Sequence, residues 1–218
     1  MSITPRVITD VVNQDLCIGC GLCVYKCPNK ALGMTLNAEG FYTPEKIDSC
    51  DDHGDCIDVC PFNPFPSSKA ATEDEIAKEF GDENLKRHPK VGNYVNVYAG
   101  YSVKHRLTSS SGGIATYVLG ELLKRGIVDH VFTVNKSEEA GIHYKYNIST
   151  TLEQLMVASK TRYYPVTLGN VMSEIHRLEG RVAIVGVACF VKAVRLAQIA
   201  ENDLREKIPF IVGIICGG

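Results

Sequence analysis

The sequence predicts a two-domain α+β chain: a small cysteine-rich domain, then a larger α/β domain whose sheet is mainly parallel. Three observations carry that expectation. Seven of the nine cysteines fall between residues 17 and 60, in two runs of one spacing. From residue 61 the stretch PFNPFPSSKAATEDEIAKEFGDENLKRHP is rich first in Pro and Ser and then in charge, which marks a boundary. Beyond it, apolar runs such as RVAIVGV and PFIVGIIC alternate with helical patterns, as strands covered on both faces do. The chain therefore divides into residues 1–64, a linker with a short helix at 65–90, and an α/β domain at 91–218.

Taken in order, residues 1–16 carry Val7, Ile8, Val11 and Val12 and read as a short strand or extended lead. ALGMTLNAEGFYTPEKID alternates apolar and polar residues around a turn at Asn37 to Gly40, a hairpin signal. Thr72 with Glu75 makes a capping box for a helix that Gly81 ends, and the charges around it read as a solvated face. VNVYAGYS (95–102) and DHVFTV (129–134) read as strands. Between them TSSSGG leads into the helix IATYVLGELLKRG, with Ile114, Val118, Leu122 and, on the flank, Tyr117 as its inner face and Gly126 at its end. IHYKYNIS follows as a strand, TLEQLMVAS as a helix capped by Thr151 and Gln154, and VTLGNVMSEIHRLEG as another helix. The strand RVAIVGV, the helix FVKAVRLAQIAEND and the strand PFIVGIIC complete the pattern.

The cysteine runs are C17-x2-C20-x2-C23-x3-C27-P28 and C50-x2-H53-x2-C56-x3-C60-P61, related position by position at an offset of 33. Two intervening residues let successive side chains turn inward from one loop, and Gly19 and Gly21 permit the positive φ such a loop needs. This is the spacing of two-cluster bacterial ferredoxins, where the fourth Cys of each run serves the other cluster. Cys17, Cys20, Cys23 and Cys60 are thus candidates for one [4Fe-4S] cluster, and Cys27, Cys50 and Cys56 for a second. Zinc fits less well, because structural zinc sites favour two separated Cys pairs. A disulfide framework lacks any sign of export. His53 occupies the remaining ligand position. Either its imidazole ligates iron, the reading the repeat's register favours, or it is a bystander and three thiolates hold a [3Fe-4S] cluster or a four-iron cluster with a non-protein ligand. The N-terminal domain is therefore ferredoxin-like.

Composition excludes several classes. A net charge of −2 with both signs interspersed offers no basic stripe for nucleic acid. No apolar run approaches the roughly 18 residues of a membrane helix, and MSITPRVITDVV lacks an export signal, so the expectation is a cytoplasmic protein without membrane insertion.

In the larger domain, Ser110, Ser111, Gly112 and Gly113 stand at a strand-to-helix junction, where hydroxyls and free N–H groups attract phosphate or simply cap the helix. Lys160 and Arg162, with Tyr163 and Tyr164, can neutralise a pyrophosphate and flank an isoalloxazine, or form an ordinary surface loop. Cys189, in the turn GVACF, and Cys216, in GIICGG, read either as small buried hydrophobes or as residues facing a metal or redox cofactor. No catalytic acid or base stands out.

The two-cluster run, SSSGG before a helix, KTRYYPV, VAIVGVACFVKAVR and GIICGG, in that order, resemble the coenzyme F420 hydrogenase/dehydrogenase beta-subunit family over about residues 12–218. The resemblance implies an oxidoreductase with FAD in the α/β domain, exchanging electrons between the clusters and a two-electron acceptor such as F420. It also implies a redox partner, ferredoxin or other subunits of a complex; the alternative is an electron-transfer subunit with no chemistry of its own. It further implies that the α/β domain is incomplete at Gly218. Two departures are His53, where the family carries Cys, and Ala188, where Pro is common and where only turn rigidity is affected.

Overall fold

The structure, a computed structural model, describes residues 3–66, 72–81 and 83–216. Its first element corrects the expected extended lead. Pro5, with φ −55°, stands before α1 (Arg6–Asp10), and a 3-10 turn follows at Val12–Gln14. Val7 and Val11, four residues apart, are both buried, so the valines follow a helical rather than a strand period. After the first cysteine loop come α2 (Leu22–Lys26), then the antiparallel hairpin of β1 (Leu32–Leu36) and β2 (Tyr42–Lys46), then α3 (Asp55–Asp58). The Asn37–Gly40 turn forms where expected, closed by the Asn37 N–H on Phe41 O at 2.8 Å.

The sequence repeat is also a conformational repeat. Shifting by 33 residues carries Gly19 (φ 71°) onto Asp52 (φ 59°) and Gly21 (φ 79°) onto Gly54 (φ 86°), and it carries α2 onto α3. Both helices start from a left-handed glycine. Asp52 takes up this conformation at a cost, since non-glycine residues seldom adopt it.

Past the boundary lie α4 (Glu73–Phe80) and a small ribbon of β3 (Lys86–His88) and β4 (Gly92–Tyr94), which the sequence reads only as linker. The capping box of α4 forms in full: the Glu75 N–H donates to Thr72 Oγ1 at 3.2 Å, and the Thr72 N–H to Glu75 Oε2 at 2.8 Å. Residues 95–102, expected as a strand, run instead as coil, exposed through Tyr101, with Tyr98 86% exposed, and buried only at Ser102. The strand at His130–Lys136 (β5), the next of this domain in the chain, is already paired on both sides, with Tyr144–Ser149 (β6) and Val182–Val187 (β7).

The larger domain contains α5 (Ile114–Lys124), β5 (His130–Lys136), β6 (Tyr144–Ser149), α6 (Leu152–Val157), α7 (Gly169–Arg177), β7 (Val182–Val187), α8 (Ala188–Ala200), α9 (Asp203–Lys207) and β8 (Phe210–Ile214). Strand order is β6-β5-β7-β8; β5, β7 and β8 are parallel and β6 runs antiparallel to β5. Alternate residues of β7 serve opposite faces. Val182 and Ile184 join a core with residues of α7 and α8, while Ala183 and Val185 join one with residues of α5 and α6. The inner face of α5 differs from the expected one: Thr116, Leu119, Gly120 and Leu122 are buried, whereas Ile114 and Tyr117 are about half exposed. Gly120 explains the rotation, because a Cβ there would come within 2.9 Å of Leu152, so the helix leans on α6 through its smallest residue. Among the described residues no helix is long and apolar enough to cross a membrane.

The two domains share one core. Cys20, Leu22 and Val59 belong to the same buried cluster as Phe132, Ile184 and Met172. The charges of α4 lie on an exposed face, as expected, and two of them also reach the larger domain. Glu73 pairs with Lys192 at 2.8 Å and Glu79 with Arg205 at 2.5 Å, while the Phe80 ring lies under the guanidiniums of Arg195 and Arg205 at 4.2 and 4.8 Å. The helix is thereby docked on α8 and α9.

Candidate functional site

The inner cysteine nest is built from the first loop and the end of the second. Cys17, Cys20, Cys23 and Cys60 line one recess, walled by Val7, Val11, Ile18 and Phe62. Backbone N–H groups of Gly19, Leu22 and Phe62 are directed at the sulfurs of Cys17, Cys20 and Cys60. Burial pushes the Cys20 thiol up to about 12 and Cys60 to about 11, and it lifts Cys23 well above its ordinary value; neighbouring thiols add to each rise. Thiols so desolvated, yet provided with N–H donors, suit a bound cation that deprotonates them and offsets their charge. Among the described residues no three His, Cys, Asp or Glu side chains are set to grip a single ion; the thiols ring a small recess instead. The donor set fits an iron–sulfur cluster.

The outer nest gathers Cys27, Cys50 and Cys56. Burial is the first cause that raises the Cys56 thiol, the Val7 backbone opposes it, and the neighbouring Cys27 and Cys50 add to it. The Ala31 N–H donates to Cys27 Sγ at 3.2 Å and the Asp52 N–H to Cys50 Sγ at 3.5 Å. His53, at the register position of a ligand, has a side chain 51% exposed, with Nε2 2.5 Å from Asp51 Oδ2. That oxygen also accepts from Asn29 Nδ2 at 2.5 Å. Of the two ring nitrogens of His53, Nε2 is thus engaged by a carboxylate.

The nests differ in what surrounds them. A Cβ on Gly21 would fall 2.3 Å from Thr167 Oγ1 and 2.6 Å from the Gly169 nitrogen, and the Leu168 N–H donates to Cys20 O at 2.9 Å. The inner loop is pressed against the start of α7. A Cβ on Gly54, its counterpart, would meet nothing within 4 Å. Cys189, partly buried at the β7–α8 turn, adds to the charge environment of Cys20 and is itself influenced by Cys216, while Lys192 is the cation that acts on Cys60.

One polar cluster has no sequence signal. The Tyr25 hydroxyl donates to Glu201 Oε2 at 2.8 Å and contacts His176 Nε2, the two rings stack at 5.7 Å, and Lys26 approaches Glu201 at 3.3 Å. It ties α2, which connects the two nests, to α7 and the end of α8. The partners lie far apart in the chain and carry no common motif.

In the larger domain the structure brings together the two loops the sequence singles out. Ser110 Oγ accepts from the Thr161 N–H at 2.8 Å, and the Ser159 hydroxyl donates to Thr108 O at 3.1 Å. Gly113 (φ 73°) caps α5 and leaves no room for a side chain against His105. Among the described residues no side chain caps this helix, so its first N–H groups stay available to an anion. Ser110, Ser111 and Lys160 are exposed. The Arg162 guanidinium lies 5.4 Å from the centre of the Tyr144 ring, and Tyr164 meets that ring edge-on. Two polar atoms here are buried without partners among the described residues: Arg162 Nε, and Nδ1 of His105, a residue only 3% exposed that no sequence pattern selects. The orphaned atoms and the uncapped helix start fit an anionic group at this junction.

Known proteins agree with this architecture. Residues 16–63 match the 4Fe-4S dicluster domain, and residues 97–173 and 179–218 match the N-terminal and C-terminal parts of the coenzyme F420 hydrogenase/dehydrogenase beta subunit. Coenzyme F420-dependent sulfite reductase of Methanocaldococcus jannaschii is 24% identical over 96% of this chain and 32% of its own length. A subunit of the F(420)H(2) dehydrogenase of Methanosarcina mazei is 26% identical over 97% of this chain and 56% of its own. A ferredoxin of Pyrobaculum islandicum is 38% identical over 32% of this chain and 62% of its own. In the solved xenon-derivatised F420-reducing [NiFe] hydrogenase complex of Methanosarcina barkeri, a chain 28% identical superposes with a TM-score of 0.53, over 60% of this chain and 47% of that one. The chain thus spans 32% and 56% of the lengths of the first two relatives. With an N-terminal 4Fe-4S dicluster domain joined to both beta-subunit parts, it belongs to the coenzyme F420 hydrogenase/dehydrogenase beta-subunit family.

Proposed function

We propose that this chain is an iron–sulfur flavoprotein subunit of a cytoplasmic oxidoreductase complex, passing electrons between its clusters, FAD and a two-electron carrier such as F420. Cys17, Cys20, Cys23 and Cys60 hold the inner cluster, and Cys27, Cys50 and Cys56 the outer one. Residues 1–64 form the cluster domain, 65–90 the connection and 91–218 the flavin domain. Clusters supply one-electron transfer and a flavin joins one- to two-electron chemistry. The chain's own residues set the order: the outer nest opens to solvent and to a partner protein, and the inner nest abuts the sheet domain. Ser110, Ser111, Gly112 and Gly113 offer N–H and hydroxyl donors to the flavin's phosphates, with Lys160 and Arg162 as countercharges.

The observation that carries this reading is the position of the inner nest. Its four thiols line one recess, and the adjoining loop is hydrogen-bonded to the start of α7 through Cys20 O and Leu168. Anaerobic purification with iron, sulfide and flavin counted per chain tests it: about eight irons and one FAD are expected. A colourless or zinc-bearing preparation refutes it. The relatives named as subunits of larger enzymes also suit a pure electron-transfer subunit, and cluster absorbance without flavin would establish that reading instead. If FAD binds as proposed, Arg162→Gln weakens its retention roughly tenfold, read by flavin fluorescence during dialysis.

A further inference from the structure

We propose that the outer nest leaves one corner of its cluster without a protein ligand. Cys27, Cys50 and Cys56 hold three irons, and the fourth iron takes water or an incoming small soft anion of the thiolate or cyanide class. The inference rests on the reading of residues 17–60 as a two-cluster domain.

The repeat supplies its own control. Cys20 and His53 are equivalent positions, and the backbone on either side is left-handed in both loops, with φ of 71° and 79° around Cys20 and 59° and 86° around His53. The loop that presents a ligand is therefore preserved. The side chains go different ways. Cys20 is 8% exposed, receives the Leu22 N–H and faces Cys17 and Cys60. The His53 side chain is half exposed and pairs through Nε2 with Asp51, whose same oxygen is fixed by Asn29 from the stretch after Cys27. Nε2 of His53 cannot reach iron without leaving Asp51, and turning Asp51 breaks both of that oxygen's contacts; Nδ1, the other ring nitrogen, belongs to a side chain half exposed to solvent. A Cβ on Gly54 would meet nothing within 4 Å and the neighbouring His53 side chain is half exposed, so this side of the loop faces water. Soft thiolate-type donors suit iron in a sulfide cluster better than a water ligand does, which sets the class of incoming ligand.

An iron held by sulfide alone on the protein side is removable. Its loss balances as [4Fe-4S]2+ giving [3Fe-4S]+, Fe2+ and one electron, with ferricyanide taking the electron. The test treats the anaerobically reconstituted full chain with ferricyanide, counts iron and records EPR. About one of about eight irons leaves, and the near-isotropic signal of an oxidised three-iron cluster appears. Ferrous ion with dithiothreitol restores the four-iron form. His53→Ala and Asp51→Ala behave as the wild type does, and 13C-cyanide added to the reduced protein gives a 13C coupling in pulsed EPR. Full retention of iron by the wild type overturns the proposal, as does a 15N coupling in protein labelled at histidine, or iron loss confined to His53→Ala or Asp51→Ala. The wild-type measurements stand even if a variant fails to fold. A preparation with no cluster at all defeats the two-cluster reading, whereas one retaining about eight irons through the treatment defeats the open corner alone.

Discussion

The two cysteine nests come from one repeated loop, yet one is enclosed by the protein and the other is bordered by solvent. At Gly21 a single added carbon collides with Thr167 and Gly169; at Gly54 it meets nothing. Cys20 is buried and hydrogen-bonded, while His53 turns to a surface carboxylate. Backbone conformation is shared, so the difference is made by packing. Such a loop becomes part of the core where another element presses on it, and stays at the surface where none does.

The sharpest way to break that comparison is to add the same methyl group to both loops. Gly21→Ala combines left-handed strain with overlap against α7 and should cost roughly 3 kcal/mol or more, read as the unfolding midpoint of the reconstituted protein. Gly54→Ala carries the strain alone, about 1–2 kcal/mol. Equal losses would show that the inner loop is not wedged. A smaller effect separates the nests electrically. Lys192 is the cation acting on Cys60, so Lys192→Met should lower the potential of the inner cluster, on the order of tens of millivolts, and leave the outer one unchanged. Spectroelectrochemical titration resolves the two, and a shift of both would mean that the charge is not local. The smallest effect is a gain. Asp52 sits at φ 59° where its counterpart is Gly19, so Asp52→Gly should stabilise the protein by about 1 kcal/mol if the outer loop is held in this conformation for the sake of its cluster. Unchanged stability would mean the strain is already relieved by neighbouring contacts.

Much of this is legible in the residues because it is local. Cysteine spacing, the Asn37–Gly40 turn, the Thr72 and Thr151 caps and the apolar strands β7 and β8 each depend on neighbours a few positions away. The differences have tertiary causes. Val7 and Val11 suit an extended lead until the cysteine domain buries one helical face, and residues 95–102 alternate like a strand but find both sides of β5 already paired. The buried face of α5 depends on its contact with α6 at Gly120. In the candidate sites, the register places His53 at a ligand position, but its pairing with Asp51, an oxygen also held by Asn29 from far along the chain, has no signal in the repeat. His105 carries no signal, because an unpartnered buried nitrogen is a property of packing.

Because Cys20 and Leu22 lie in the same buried cluster as Phe132 and Ile184, loading and closure cannot be independent events. The expected consequence is that filling the inner nest and packing the sheet domain against it favour each other. A chain grown without iron should then be cut by proteases between residues 17 and 23, a site the loaded chain protects. Equal resistance of the two would show that docking needs no metal.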